Sequence, residues 1–255
     1  MPDATVDGAI FHYETAGEGP PLVLLHGIGS NSKSWKRQLA ALSTQFEVIA
    51  WDAPGYGRSS DPPTIPPSMS FYAESLHGLL DSLGLGKVFL LGHSTGGVIA
   101  QEFYRLFPAY VRALLLADTR NVRSKAGLEE RLKSIRTMTP AQLAAQRAPL
   151  LLSRNAPPDL VREVVSIMSE VRRAGYEFAA LALAESDTRD VVRNAGVPTL
   201  LIWGSEDEIT PLWKEIPSNA QLKVIADAGH LCYIEQPEEF NEIVRKFLRK
   251  CIEAV

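Results

Sequence analysis

The segment that most narrows the possible folds is Val88-Phe89-Leu90-Leu91-Gly92-His93-Ser94-Thr95-Gly96-Gly97. An apolar run halts at Gly-x-Ser-x-Gly, and a helical pattern of Val98, Ile99, Gln101, Glu102 and Tyr104 begins at once. The spacing predicts a strand, a sharp turn and a helix, with one serine at the apex. Glycines are needed on both sides because neighbouring backbone passes where a Cβ would clash. Such a turn lifts the Ser94 hydroxyl clear of the sheet, beside unpaired N–H groups at the positive end of a helix, where an oxyanion is stabilised. Alone, Gly-x-Ser-x-Gly arises by chance in roughly one chain in ten of this length, and its serine then merely caps a helix. The same sequence must therefore supply a base, an acid and a second oxyanion donor.

The remaining pattern supplies a frame in which these can meet. Residues 6–15 read as a hairpin turning at Asp7-Gly8. Short strands follow at Leu22 to Leu25, Phe46 to Trp51, Val111 to Ala117, Val197 to Trp203 and Leu222 to Ala226. Helices are expected from Ser34 to about Leu42, from Ser70 to about Leu83, and from Pro237 to about Lys250. The second of these places Leu76, Leu79, Leu80 and Leu83 on one face. Strands alternating with helices imply an α/β fold, with a mostly parallel eight-stranded sheet and helices on both faces. Sites in such sheets lie at the carboxyl ends of the strands, where His26, Asp52, Ser94 and Asp118 all fall. Only helical patterns occupy Thr119 to Arg193, at 124–137, 140–152, 158–173 and 175–185. They predict an all-helical cap at 119–193, inserted after the sixth strand, on a core formed by 1–118 and 194–255.

Composition excludes several classes. With 255 residues, 45% of them hydrophobic and 22% charged, the chain is long enough to bury one sizeable core. A net charge of -4 without a basic stripe argues against a nucleic-acid partner. No apolar run approaches the ~20 residues that cross a bilayer, and the amino terminus lacks a basic-then-apolar leader. No membrane association is expected, and the cytoplasm is the expected compartment. Cys232 and Cys251 are too few for a disulfide framework and read as reduced thiols.

A serine hydroxyl needs a positioned base. His230, in Asp227-Ala228-Gly229-His230, follows the last strand and shares the rim with Ser94. His12 and His77 read as structural, His93 as pointing away from the serine, and His26 as ordering its own loop. The base in turn needs a carboxylate to hold its tautomer. Asp207, after the strand Leu200-Leu201-Ile202-Trp203, is the first candidate, and Asp118 is the rival. Cys232 reads as a buried thiol, since Ser94 already occupies the turn. No cofactor or metal is expected. No Gly-x-Gly-x-x-Gly follows a strand, Gly86-Lys87 opens no phosphate loop, and His and Cys lack zinc spacing.

Taken together, Ser94, Asp207 and His230 in that order, His26-Gly27-Ile28-Gly29, and Asp52-Ala53-Pro54-Gly55-Tyr56-Gly57-Arg58-Ser59 make the chain resemble the α/β-hydrolase superfamily along nearly its whole length. Gly92-His93-Ser94-Thr95-Gly96-Gly97, Leu114-Leu115-Leu116-Ala117-Asp118-Thr119 and Gly175-Tyr176-Glu177-Phe178-Ala179-Ala180 are similar to capped bacterial 3-oxoadipate enol-lactonases and carboxylesterases. The resemblance implies oxyanion donors at the backbone N–H groups of Ile28 and Thr95. It implies hydrolysis of a small-molecule carboxylic ester or lactone through an acyl-enzyme on Ser94, by a monomer or homodimer. Carbon–carbon hydrolysis of ring-cleavage diketones, perhydrolysis or cofactor-free oxygenation, and ligand reception without catalysis are alternatives on the same scaffold. Substrate contacts are expected from Trp35, Arg120, Met138, Leu143, Tyr176 and Leu231, with Leu150, Met168 and Phe178 as further apolar candidates. Arg120 is the candidate to meet a substrate carboxylate.

Overall fold

Asp7 and Gly8 both take left-handed backbone angles, φ 49° and 83°. That is the pair a two-residue hairpin turn requires, and it joins β1 (Asp3–Val6) to β2 (Ala9–Ala16). The computed structural model describes residues 2–253. Its remaining strands are β3 (Pro21–Leu25), β4 (Glu47–Trp51), β5 (Val88–His93), β6 (Val111–Ala117), β7 (Thr199–Gly204) and β8 (Ala220–Ile225). They form one eight-stranded sheet in the order β1-β2-β4-β3-β5-β6-β7-β8. The pairings from β4 to β8 are parallel, while β1 and β2 run antiparallel at one edge.

Both faces of the central strands are buried, so their apolar runs are continuous rather than alternating. Val88, Leu90, Leu114 and Leu116 point into one apolar layer, which α2 (Met69–Ser82) and α3 (Thr95–Leu106) cover with Tyr72, Leu76 and Phe103. Phe89, Leu91, Ala113 and Leu115 point into the other, covered by Leu39 and Leu42 of α1 (Lys36–Leu42) and by Phe240, Val244 and Leu248 of α10 (Pro237–Glu253). Helix α1 starts two residues later than the sequence pattern suggests. The Asn31 side chain accepts from Lys33 N and winds Ser32–Trp35 into a tighter 3₁₀ turn first.

Between β6 and β7 lie α4 (Leu128–Thr137), α5 (Pro140–Arg147), α6 (Pro158–Met168), α7 (Arg173–Glu185) and α8 (Arg189–Arg193). The helix expected at 140–152 stops at Arg147 and tightens into a 3₁₀ turn over Ala148–Leu151. Pro149 has no N–H to continue the α-helical ladder. Helix α4 begins only after Gly127, whose left-handed φ of 68° interrupts the chain. The short α8 and a single turn, α9 (Cys232–Glu235), lie beyond the periodic signals. Among the described residues no helix is long and apolar enough to cross a membrane.

The segment between β6 and β7 is tied to the sheet layer by charge and by close backbone approach. The Arg37 guanidinium holds the Glu163 carboxylate of α6 with two hydrogen bonds, 2.6 and 2.8 Å. Gly175 at the start of α7 lies against Gly55, and a Cβ on either would strike the other's backbone.

Candidate active site

Ser94 is a non-glycine residue held at φ 52°, ψ -117°, a costly conformation that its surroundings must enforce. They do so by crowding. A Cβ at Gly92 would strike the Gly96 carbonyl, and one at Gly96 would strike the Leu25 carbonyl. Helix α3 begins at Thr95, so its first N–H groups have no intrahelical acceptor. Ile28 and Thr95 both line the pocket beside Ser94.

The loops around this turn are braced from within. Asp52 accepts from Ser32 N at 2.8 Å and from Arg58 N at 2.9 Å, and a Cβ at Gly57 would collide with its carboxylate. Asp52 thus staples the two loops that follow β3 and β4. His26 Nε2 accepts from Ala53 N at 3.0 Å, which leaves Nδ1 protonated to donate to the Gly27 carbonyl at 2.9 Å. Burial lowers its pKa and keeps the ring neutral. His93 points away from the serine and donates through Nε2 to the His230 carbonyl at 2.7 Å. Burial, with the nearby His230 charge adding to it, pushes the His93 pKa far below the usual histidine range.

His230 Nε2 lies 2.9 Å from Ser94 Oγ, and His230 Nδ1 lies 3.0 Å from Asp207 Oδ2. The Asp207 side chain is fully buried, and its Oδ1 accepts from Ile209 N at 2.8 Å and Thr210 N at 3.0 Å. An ionised Asp207 only accepts, so His230 carries its proton on Nδ1 and Nε2 is free to accept from Ser94. Asp118 is placed differently. Its Oδ1 takes one donor, Gly204 N at 2.8 Å, and its buried Oδ2 has no geometric partner. Burial first, and the Asp207 charge second, drive its pKa well above the carboxylate range. The Cys232 thiol beside it is buried and its pKa is likewise raised by burial.

One acid that the sequence pattern does not reveal completes the rim. Glu235 accepts from Gly229 N at 2.7 Å and from Ser153 N at 2.8 Å, fixing the His230 loop against the segment after α5. Only its closeness to His230 in sequence hints at this role.

The pocket over Ser94 spans about 880 Å³ of space with the adjoining open solvent counted in. Of the expected substrate contacts, Arg120, Tyr176, Leu231 and Met168 line it. Trp35 does not. It is wholly buried, with its ring 4.1 Å from that of Tyr233, because the 3₁₀ turn directs it under the sheet rim. Leu143 and Met138 pack into an apolar cluster instead of the pocket, and Phe178 stacks edge-on against Phe71 and Tyr72. Leu150 is 58% exposed. Arg131 and Arg147 line the pocket without any marked signal in the sequence. Burial, with the Arg131 charge adding to it, brings the Arg120 guanidinium down to about 10. Among the described residues no three His, Cys, Asp or Glu side chains are grouped to hold a metal ion.

The fold has close counterparts. Residues 22–243 match the Alpha/beta hydrolase family. A thermophilic esterase from Thermogutta terrifontis is 32% identical and superposes with a TM-score of 0.89 over 98% of both chains. The enol-lactonase from Burkholderia xenovorans LB400 is 25% identical, with a TM-score of 0.89 over 97% of this chain and 100% of its own. 3-Oxoadipate enol-lactonase 2 of Acinetobacter baylyi is 27% identical across 96% of each chain.

Proposed function

The chain belongs to the alpha/beta hydrolase family, and from that premise we propose that it hydrolyses a small-molecule carboxylic ester or lactone through an acyl-enzyme on Ser94. The observation that carries the reading is the continuous chain of hydrogen bonds from Ser94 Oγ through His230 to Asp207, 2.9 and 3.0 Å long. The similarity to an esterase and to enol-lactonases supports the same reaction class.

In this scheme Ser94 Oγ attacks the carbonyl carbon as His230 Nε2 takes its proton, and Asp207 stabilises the imidazolium. The carbonyl oxygen, now an oxyanion, is held by the N–H groups of Ile28 and Thr95, each worth ~2.7–4 kcal/mol in the transition state. Collapse breaks the carbon–oxygen bond, and the alkoxide takes the proton from His230. Water then attacks the acyl-enzyme as His230 takes its proton, and His230 passes that proton to Ser94 Oγ as the carbon–Oγ bond breaks and the acid leaves. A lactone differs only in that its alkoxide stays tethered to the acyl chain.

The test is hydrolysis of a 4-nitrophenyl alkanoate by the wild type and by Ser94→Ala. The scheme expects turnover to fall by roughly 10⁴- to 10⁶-fold in the variant. Comparable turnover by the two proteins would remove Ser94 from the reaction.

A further inference from the structure

A second groove adjoins the pocket over Ser94, and the two share Arg120, Ile209 and Thr210 along their common boundary. Beyond that boundary the groove carries an apolar strip of Val122, Pro211, Leu212 and Trp213. Val122 and Leu212 are large aliphatic side chains, yet they stand 43% and 41% exposed there. Apolar side chains scattered singly over a surface are ordinary, whereas a strip that continues a binding pocket marks space for a ligand. At the groove edge Arg189 and Arg193 are already paired, with Asp187 and Glu215.

The backbone around Arg120 is pinned. The Thr119 carbonyl accepts from Trp213 Nε1 at 2.7 Å, the Arg120 carbonyl from Gln101 Nε2 at 3.3 Å, and the Asn121 carbonyl from Thr188 N at 2.9 Å. From this fixed base the Arg120 side chain reaches over to donate to the Leu183 carbonyl of α7. Its buried Nε has no acceptor among the described residues. A buried donor left unpaired costs stability, so hydrogen bonding alone does not account for the placement. What the side chain does is fill the boundary between the two cavities, and truncating it would open that boundary on an anchored backbone.

The sheet order decides which part of a substrate meets this boundary. Ile28 follows β3 on one side of Ser94, while Arg120, Ile209 and His230 follow β6, β7 and β8 on the other. In the proposed reaction the departing oxygen must face His230 Nε2 to take its proton. The alcohol arm of the ester is therefore the one directed toward Arg120. We infer that Arg120 is the wall that limits the length of this alcohol arm, closing it off from the apolar groove beyond. The inference rests on the ester-hydrolase reading of the same site. With the wall in place a short alcohol arm fits, and without it a longer one runs on over Val122 and Leu212.

The experiment compares kcat/KM for octyl and methyl butanoate, followed by acid release at constant pH. The wild type is expected to favour the methyl ester. Arg120→Ala should raise the octyl-to-methyl ratio by roughly tenfold or more, the discrimination that a methylene supplies in an apolar pocket. Arg120→Lys keeps the length and a donor for Leu183, and should stay near the wild-type ratio. Adding Leu212→Arg to Arg120→Ala should take the gain away. The inference is overturned by an unchanged ratio in Arg120→Ala, by an equal gain in Arg120→Lys, or by a gain that survives Leu212→Arg. It is also overturned if Arg120→Ala gains instead on acyl length, read from 4-nitrophenyl decanoate against butanoate. Each of these results leaves the ester reading intact. If Arg120→Ala does not fold, Arg120→Gln, which shortens the side chain and keeps a donor, carries the same expectation and the same refutation. If no ester of either series is cleaved, the ester reading falls and binding decides the wall alone. Calorimetric titration with 1-octanol should then show roughly tenfold tighter binding to Arg120→Ala than to the wild type, and equal affinity overturns the inference.

Discussion

The floor of the pocket and its roof are built on opposite electrostatic terms. In the floor, every charged group of the proposed machinery has partners from the protein itself. Asp207 holds three donors, Asp52 holds two backbone amides, and Glu235 holds two more. In the roof, among the described residues, the buried Nε of Arg120 has no acceptor, and Arg131 and Arg147 line the cavity without a carboxylate partner. The floor is already complete before substrate arrives, as preorganised catalysis requires. In the proposed scheme the groups that set the reaction type all sit at the sheet edge, each with partners from the protein itself.

The sharpest way to break this division lies in the floor, with its two neighbouring acids. Asp207→Asn removes the acceptor that fixes the His230 tautomer and should lower kcat by roughly 10³- to 10⁴-fold. Asp118→Asn keeps a neutral, similarly shaped group beside Gly204 N and should cost less than about tenfold. Steady-state kinetics of both variants on one ester checks the pair. A reversed order would move the catalytic acid to Asp118.

The smallest effect is expected where roof and floor are joined. Two hydrogen bonds from Arg37 hold the Glu163 carboxyl down to about 2, against an ordinary value of 4.5. A lowered folded-state pKa contributes stability above about pH 4.5 that is lost as pH falls toward 2. The side chain is 21% exposed, so Glu163→Gln should destabilise the protein by only about 1 kcal/mol at pH 7. Thermal unfolding at several pH values should show the gap between variant and wild type closing below pH 4. A gap that stays constant with pH would mean that Glu163 acts through packing alone.

The floor is legible in the sequence and the roof only in part, through Arg120, Met168 and Tyr176, for one physical reason. Ser94 and Asp207 follow buried apolar strands and His230 follows the half-exposed edge strand β8, and parallel strands bring their carboxyl ends to one rim whatever the details of packing. Four motifs in the expected order therefore fixed the architecture and the candidate site together. The helices between β6 and β7 have no such common register. Arg131 stands in the ordinary charged stretch Glu129-Glu130-Arg131-Leu132-Lys133, and nothing local says that one of these side chains turns toward a cavity. Trp35 misled for a related reason. Its position beside the oxyanion loop suggested the pocket, while a 3₁₀ turn set by Asn31 carries the ring to Tyr233 and Phe240.

The central claim is that the acyl group is carried by Ser94. Its most direct test is reaction with a fluorophosphonate followed by peptide mass spectrometry of the labelled protein. The account predicts one adduct per chain, on the peptide holding Gly92 to Gly97 at Ser94, and no adduct in Ser94→Ala. Labelling that persists in Ser94→Ala, at Cys232 or any other residue, would contradict it.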